Sequence, residues 1–133
     1  LSGDSTFYNI AVSHADKTLK NHFRKDGSSY HVVDYDPETG EVRSRSTAQG
    51  YADESAWARG QAWVIYGYTM CYRYTHNPAY LKQAERTYDF IFTHTNMPED
   101  LVPYWDYDAW NIPNEPRDVS SAAITYELSS AIR

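Results

Sequence analysis

The segment Gly50-Tyr51-Ala52-Asp53-Glu54-Ser55-Ala56-Trp57-Ala58-Arg59-Gly60-Gln61-Ala62-Trp63 holds the residue types and spacing best suited to chemistry. Arg59 and Trp63 are four positions apart at the start of a stretch that reads as a buried helix. At that spacing two side chains share one face, one turn apart. A guanidinium fork beside a flat indole suits a ligand with a carboxylate and an apolar ring face, and an acidic sugar is such a ligand. A bidentate arginine–carboxylate contact contributes about 1.5–3 kcal/mol, and lysine does not reproduce the planar fork. The alternative is structural. An arginine in an otherwise apolar helix needs a partner, and Asp53, Glu54 or the indole face itself would serve.

Trp57 lies off that face, in the first turn, where it either borders a rim or enters the core. His31 follows Tyr30 in a strand-like segment, where a lone histidine reads more often as a hydrogen-bonded filler than as a catalyst. Gln49, beside Gly50, lies in the loop entering the helix. The pairs Asp34/Asp36 and Asp106/Asp108 raise a two-carboxylate hydrolase reading, since alternation puts both members on one side of a strand. Against it, aspartates in turns bond to nearby backbone. Asp34 to Gly40 is not a calcium loop: its glycine is one place late and the distal glutamate is missing. His14 and His22 are face-compatible but lack further ligands, so no zinc or other metal is expected. No serine elbow, phosphate loop or dinucleotide fingerprint occurs, and no cofactor is implied. Cys71 sits mid-helix among apolar residues, where a thiol is inert.

The 133 residues suit one ordinary domain. Twelve Lys+Arg against 18 Asp+Glu give a formal charge of −6, which argues against a nucleic-acid surface. A single cysteine allows no internal disulfide. No apolar run approaches membrane-spanning length and no basic-then-apolar leader opens the chain, so no membrane partner is expected; the compartment, periplasmic or cytoplasmic, stays open. Thirteen tyrosines and four tryptophans fit an aromatic-lined sugar cleft or a tyrosine-built helical core equally well.

These residues must be positioned by helices. Asp4-Ser5 can cap a helix from about Thr6 to Arg24, with Phe7, Ile10, Ala11, Ala15, Leu19 and Phe23 as its stripe and Gly27 beyond its end. Leu1-Ser2-Gly3-Asp4 reads as the end of an earlier helix and a turn. Tyr30 to Ser46 changes to strand period around Asp36-Pro37-Glu38-Thr39-Gly40, a β-hairpin pattern. Asp53 or Ser55 can cap a helix to about Tyr74 that has almost no polar face and is expected to be buried all round. Asn77-Pro78 opens a one-sided helix to about Thr95. Residues 96–117 form a loop with four prolines, and Asp118 caps a last helix through Ala122, Ala123, Ile124 and Leu128.

Part of this order repeats. Asp4, Phe7, Ala11 and Asp16 match Asn77, Tyr80, Ala84 and Asp89, each 73 positions later. Val33-Asp34-Tyr35-Asp36 matches Trp105-Asp106-Tyr107-Asp108, and Asp53-Glu54-Ser55-Ala56 resembles Asp118-Val119-Ser120-Ser121. Outer amphipathic helices alternating with buried inner ones make stacked helical hairpins. The fold expected is all-α: hairpins forming part of a toroid, residues 1–133 being one partial domain, with a short β-hairpin in a connecting loop. The long loops precede inner-helix N-termini, so a ligand would sit at that rim, where helix dipoles favour anions.

Ser13-His14-Ala15-Asp16-Lys17-Thr18-Leu19, Asp26-Gly27-Ser28-Ser29-Tyr30-His31-Val32-Val33, Asp36-Pro37-Glu38-Thr39-Gly40 and Gln49-Gly50-Tyr51 resemble the unsaturated glucuronyl hydrolases, glycoside hydrolase family 88. So do Trp57-Ala58-Arg59-Gly60-Gln61-Ala62-Trp63, Tyr66-Gly67-Tyr68, Ile112-Pro113-Asn114 and Arg117-Asp118. The resemblance implies an (α/α)6 toroid and a substrate: oligosaccharides ending in a 4,5-unsaturated uronic acid, made by polysaccharide lyases. It implies vinyl-ether hydration, in which an aspartate protonates C4, water adds at C5, and the hemiketal opens and expels the remaining sugar. His31 falls on a supporting catalytic position, and Gln49, Trp57, Arg59 and Trp63 on substrate-binding positions. Arg59 would take the uronate carboxylate or nearby oxygens, Trp57 and Trp63 would be ring platforms, and His31 and Gln49 would orient water or hydroxyls.

The family's two active-site aspartates belong to segments before Leu1, and no aspartate here aligns with them. The chain is thus expected to carry a binding wall without a proton donor, and to turn over negligibly alone, since general acid–base catalysis contributes about 10²–10⁴-fold. An open toroid would expose apolar sides of the 57–72 helix and favour self-association. The alternatives are a related unsaturated rhamnogalacturonyl hydrolase and a non-catalytic helical-repeat assembly module.

Overall fold

The computed structural model describes residues 3–132, and within the last helix it describes no side chain beyond Glu127. Leu1, Ser2 and the side chain of Leu128 therefore lie outside the described residues. Six elements follow in order: α1 (Ser5–Asn21), β1 (Val32–Tyr35), β2 (Val42–Ser46), α2 (Ala58–Thr75), α3 (Pro78–Thr93) and α4 (Val119–Ile132). The chain is helix-rich with one two-stranded antiparallel sheet, as its periodicity indicates.

Caps explain where most helices start. The Asp4 carboxylate accepts the Thr6 N–H at 2.8 Å and the Asn77 side chain accepts the Ala79 N–H at 3.0 Å. These two residues are partners in the 73-residue repeat, so α1 and α3 open with the same i to i+2 bond. Asp118 accepts the Ser121 N–H at 2.8 Å at the head of α4. The α1 helix stops earlier than its stripe suggests, at Asn21, because Phe23 and Ser29 form a β-bridge. Within that turn the Tyr30 N–H donates to the His22 carbonyl at 2.8 Å. Gly27, at φ 95°, is required inside it: a Cβ there would meet the Arg86 carbonyl oxygen at 2.6 Å.

The start of α2 corrects the sequence reading. Neither Asp53 nor Ser55 caps it; Trp57 is the N-cap and makes no side-chain cap bond. The cap is supplied by the long loop instead. Trp57 and Asp106 form a β-bridge, the Ala58 N–H donates to the Trp105 carbonyl at 3.0 Å, and the Tyr107 N–H donates to the Ala56 carbonyl at 3.0 Å. A backbone acceptor from 105 makes a side-chain cap unnecessary. Asp53 accepts the Thr47 N–H, and the Ser55 hydroxyl donates to Asp106.

Helix α2 packs against both α3 and α4. Ala56, Ala58, Ile65, Ile91 and Tyr107 form one core cluster, and Ala15, Tyr68, Tyr80 and Ala84 a second, which reaches α1. The Tyr68 hydroxyl donates to the Ala15 carbonyl at 2.8 Å, and the Tyr80 hydroxyl to Asp16 at 2.6 Å. Burial of α2 is not all-round: Trp63, Tyr66 and Tyr74 are exposed, as are Phe7 and Ile10 on α1. The β-hairpin pairs Val32 with Ser46 and closes on Asp36, whose carboxylate accepts the Glu38 and Thr39 N–H groups. The local-turn reading of Asp36 therefore holds. No helix among the described residues is long and apolar enough to cross a membrane.

Candidate functional site

The two long loops meet at the heads of α2 and α4, and beside them a cleft of about 470 Å³ opens between α1, the 29–31 segment and α2. Ala11, Ala15, Gly60, Val64 and Gly67 line it together with the aromatic side chains of Trp57, Trp63, Tyr30 and His31. Gly60 makes room for the indole: a Cβ there would lie 3.1 Å from Trp57 Cε3. The His31 imidazole stacks on the Trp57 ring, centroids 4.3 Å apart and planes 29° apart. Trp63 is half exposed and meets Tyr66 edge-on at 5.7 Å. Flat aromatic faces beside a polar ring edge suit a sugar, whose C–H face stacks while its hydroxyls take directed bonds.

Among the described residues no Asp, Glu, Lys or Arg lines this cleft; its titratable lining is His14, His22, His31, Tyr30, Tyr68 and Cys71. Burial pushes the Cys71 thiol up, consistent with an inert thiol. Burial, then the neighbouring His14 and Arg45, lowers His22, whose Nε2 lies 3.1 Å from the Tyr35 hydroxyl. Burial also lowers His31. Among the described residues no group of three or more His, Cys, Asp or Glu could hold a metal ion.

Of the residues singled out in the sequence, the structure brings His31, Trp57 and Trp63 to one cleft. It treats Arg59 differently. Its Nη2 and Nε donate to Asp118 Oδ2 at 3.0 and 3.2 Å, and its Cζ stands 5.8 Å from the Trp57 ring. The structural-pair alternative is realised, with Asp118 as the partner in place of Asp53 or Glu54. The Arg59 side chain is nonetheless 43% exposed against 4% for that of Asp118, though it does not line the cleft. The Gln49 side chain is exposed and does not line the cleft. Its contribution here is a backbone N–H, which donates to His31 Nδ1 at 3.2 Å.

The aspartate pairs do not form an acid/base couple. Asp34 is exposed on β1. Asp106 is fully buried and accepts from the Tyr51 N–H, the Ser55 hydroxyl and the Asp108 N–H. The His94 ring, whose Nε2 stands 3.7 Å from Oδ1, is the main cause holding Asp108 below the usual carboxylate range. Sequence reasoning missed Asp118 as the arginine's partner and Thr47 as the contact of His31. The signal for Asp118 was its helix-capping position; Thr47 carried only its spacing from Gly50.

No family profile matches the chain. It is 56% identical over 124 residues to the unsaturated glucuronyl hydrolase of Formosa agariphila, covering 93% of this chain and 31% of that protein. It is 40% identical over 124 residues to the unsaturated glucuronyl hydrolase of Bacillus sp. GL1, covering 93% and 32%. The chain thus spans about a third of the length of the curated relatives it matches. Among solved structures, an unsaturated glucuronyl hydrolase specific for heparin superposes with a TM-score of 0.91 at 48% identity, over 94% of this chain and 34% of that one. The Bacillus sp. GL1 enzyme, responsible for the degradation of glycosaminoglycan, superposes with a TM-score of 0.92 at 39% identity, over 98% and 34%. A mutant of the Streptococcus agalactiae enzyme complexed with dGlcA-GalNAc6S superposes at 0.79 with 36% identity, over 98% and 34%.

Proposed function

We propose, from the premise that this chain is homologous to about a third of the length of the unsaturated glucuronyl hydrolases, that it is one wall of an (α/α)6 glycoside hydrolase acting on 4,5-unsaturated uronic acids. Residues 1–133 are then a single partial domain. The observation that carries the reading is the cleft in which Trp57, Trp63 and His31 converge. Trp57 and Trp63 supply apolar platforms for sugar rings. Arg59, steadied by Asp118 and part-exposed next to Trp57, would take the uronate carboxylate or nearby oxygens. His31 offers a hydrogen bond to a hydroxyl or to the attacking water, and Gln49 stays at the margin.

The reaction assigned to the complete protein is hydration of the vinyl ether. An acid delivers a proton to C4, water adds to C5, and the hemiketal opens with release of the remaining sugar. The proton donor is assigned to a segment outside these 133 residues. Among the described residues no carboxyl group lines the cleft, Asp106 and Asp118 are committed to the folded backbone and Arg59, and Asp108 is held below the usual carboxylate range. A group held below its usual range is a poor acid near neutrality. The exposed apolar side chains of α1 and α2 are consistent with a ring whose remaining helices complete the cleft. The leaving sugar, glycosaminoglycan or rhamnogalacturonan in type, is decided by that remainder.

The test is titration of this chain with an unsaturated chondroitin disaccharide and with its saturated counterpart. Expected are preferential binding of the unsaturated sugar, its loss in Trp63→Ala with unchanged helix content, and no decay of the vinyl-ether absorbance. Equal binding of both sugars, or Trp63→Ala binding as wild type does, overturns the reading.

A further inference from the structure

Among the described residues, every hydrogen-bond partner of His31 lies at one nitrogen. Nδ1 is 3.1 Å from the Thr47 hydroxyl and 3.2 Å from each of the amide nitrogens of Ala48 and Gln49. A backbone N–H only donates, so Nδ1 is the accepting, unprotonated nitrogen. Thr47 Oγ1 itself accepts the Gly50 N–H at 2.8 Å, which leaves its hydroxyl hydrogen for Nδ1. The bonds therefore run from Gly50 to Thr47 to His31. A neutral ring that accepts at Nδ1 carries its proton on Nε2. Protonating Nδ1 would set an N–H against two amide hydrogens, which opposes the imidazolium in the same sense as burial does.

The turn that delivers these donors is braced from behind. The Thr47 N–H donates to Asp53 Oδ1 and the Tyr51 N–H to the buried Asp106 Oδ2, each at 2.9 Å. Gly50 has no room for a side chain, since a Cβ would stand 2.6 Å from Thr47 Oγ1 and 3.1 Å from Asp106 Oδ2. The Trp57 indole covers one face of the imidazole. The other titratable groups lining the cleft are His14, His22, Tyr30, Tyr68 and Cys71, and the charged Asp53 and Asp106 lie behind the turn.

We propose that Thr47 is a positioning residue which, with the amides of Ala48 and Gln49, locks His31 as the neutral Nε2–H tautomer, so that the ring gives the cleft a hydrogen-bond donor and no base. The lock stands on the geometry alone. What the donor serves, an oxygen acceptor of a bound sugar, rests on the function proposed above.

The experiment is a long-range proton–nitrogen correlation of the histidine rings in the nitrogen-15-labelled chain, followed from roughly pH 5 to 8, with His31→Gln assigning the signal. Expected for wild type are a pyridine-like Nδ1 and a protonated Nε2 that persist below the ordinary histidine value. Thr47→Ser keeps this signature; Thr47→Val, which loses the hydroxyl, shows a mixture of tautomers and a raised titration midpoint. A proton on Nδ1 in the wild-type chain near neutrality overturns the lock. So does a Thr47→Val spectrum identical to wild type. If Thr47→Val does not fold, the wild-type spectrum still decides the tautomer, and Thr47→Ala beside Thr47→Ser decides the hydroxyl's part. Failure of the unsaturated disaccharide to bind, with the Nε2–H signature present, overturns the cleft's assignment to sugar while upholding the lock.

Discussion

Asp118 holds Arg59 with the oxygen it does not use to cap α4. Oδ2 accepts from Nη2 and Nε of the arginine at 3.0 and 3.2 Å, and Oδ1 accepts the Ser121 N–H at 2.8 Å. One buried carboxylate thus ties the first turn of α2 to the first turn of α4. The two duties separate by substitution. Asparagine caps about as well as aspartate, so Asp118→Asn keeps the cap and removes the charge. Its expected cost is about 1–2 kcal/mol, because the bonds are charge-assisted but the guanidinium is partly solvated. Asp118→Ala should lose a further ~1 kcal/mol with the cap. Urea melts of both variants check the order, and equal stability of the two would show that the cap bond contributes nothing.

The indole of Trp57 is placed by an absence of atoms at Gly60. A methyl group there would come within 3.1 Å of the ring, while alanine favours a helix interior by up to about 1 kcal/mol over glycine. Gly60→Ala should therefore preserve or raise helix stability while pushing the indole off His31. The expected signature is altered tryptophan fluorescence, a shifted His31 ring resonance and weaker binding of the unsaturated disaccharide, with no fall in melting temperature. Unchanged fluorescence and binding would show that Trp57 accommodates the methyl group in place.

Helix existence and order were legible in the sequence because each helix is one long periodic segment. The repeated Asp4 and Asn77 caps were legible because a cap is a local bond between near neighbours. The head of α2 was not, since its cap is the Trp105 carbonyl, brought from 47 positions away by the proline-rich loop. The same holds for Arg59. Its residue type and burial demanded an acidic partner, but a period argument looks only along one helix, and Asp118 lies on another. His31, Trp57 and Trp63 were legible as a group through resemblance; the side chains of Arg59 and Gln49 lie outside the cleft lining, a placement set by packing between distant segments and not by local spacing. Thr47 had only its spacing from Gly50, because a hydroxyl that orients a ring needs little more than the distance that folding supplies.

Acid should destabilise this chain through its histidines before its carboxylates. Burial lowers His31 and His22 from the ordinary value of 6.5. Between that value and the lower folded one, the unfolded chain binds more protons, so stability rises with pH across this window. The stability is fully present above about 6.5 and is lost as pH falls through the folded values. Asp108 and Asp36, held below the carboxylate value of 3.8, act only in a lower window, also losing stability as pH falls. Urea midpoints at roughly pH 7.5 and 5.5 should differ for wild type, less for His31→Gln, and least for the double variant with His22→Gln. A wild-type midpoint that does not move between those conditions would count against both depressed values.

The unsatisfied apolar side chains set the last expectation. Phe7 and Ile10 on α1 are 66% and 61% exposed, and Trp63 and Tyr66 on α2 are 51% and 43% exposed. Burying one such side chain is worth about 1.5–3 kcal/mol, so covering several at once favours association even after the entropy of joining two chains. Sedimentation at rising concentration should show this chain self-associating. Ile10→Ser with Tyr66→Ser should return it to monomer while leaving its helix content intact, since neither residue belongs to the buried core. A chain that stays monomeric at every concentration would mean that these side chains are solvated at tolerable cost. An oligomer unaffected by the two serines would place the contact on another face.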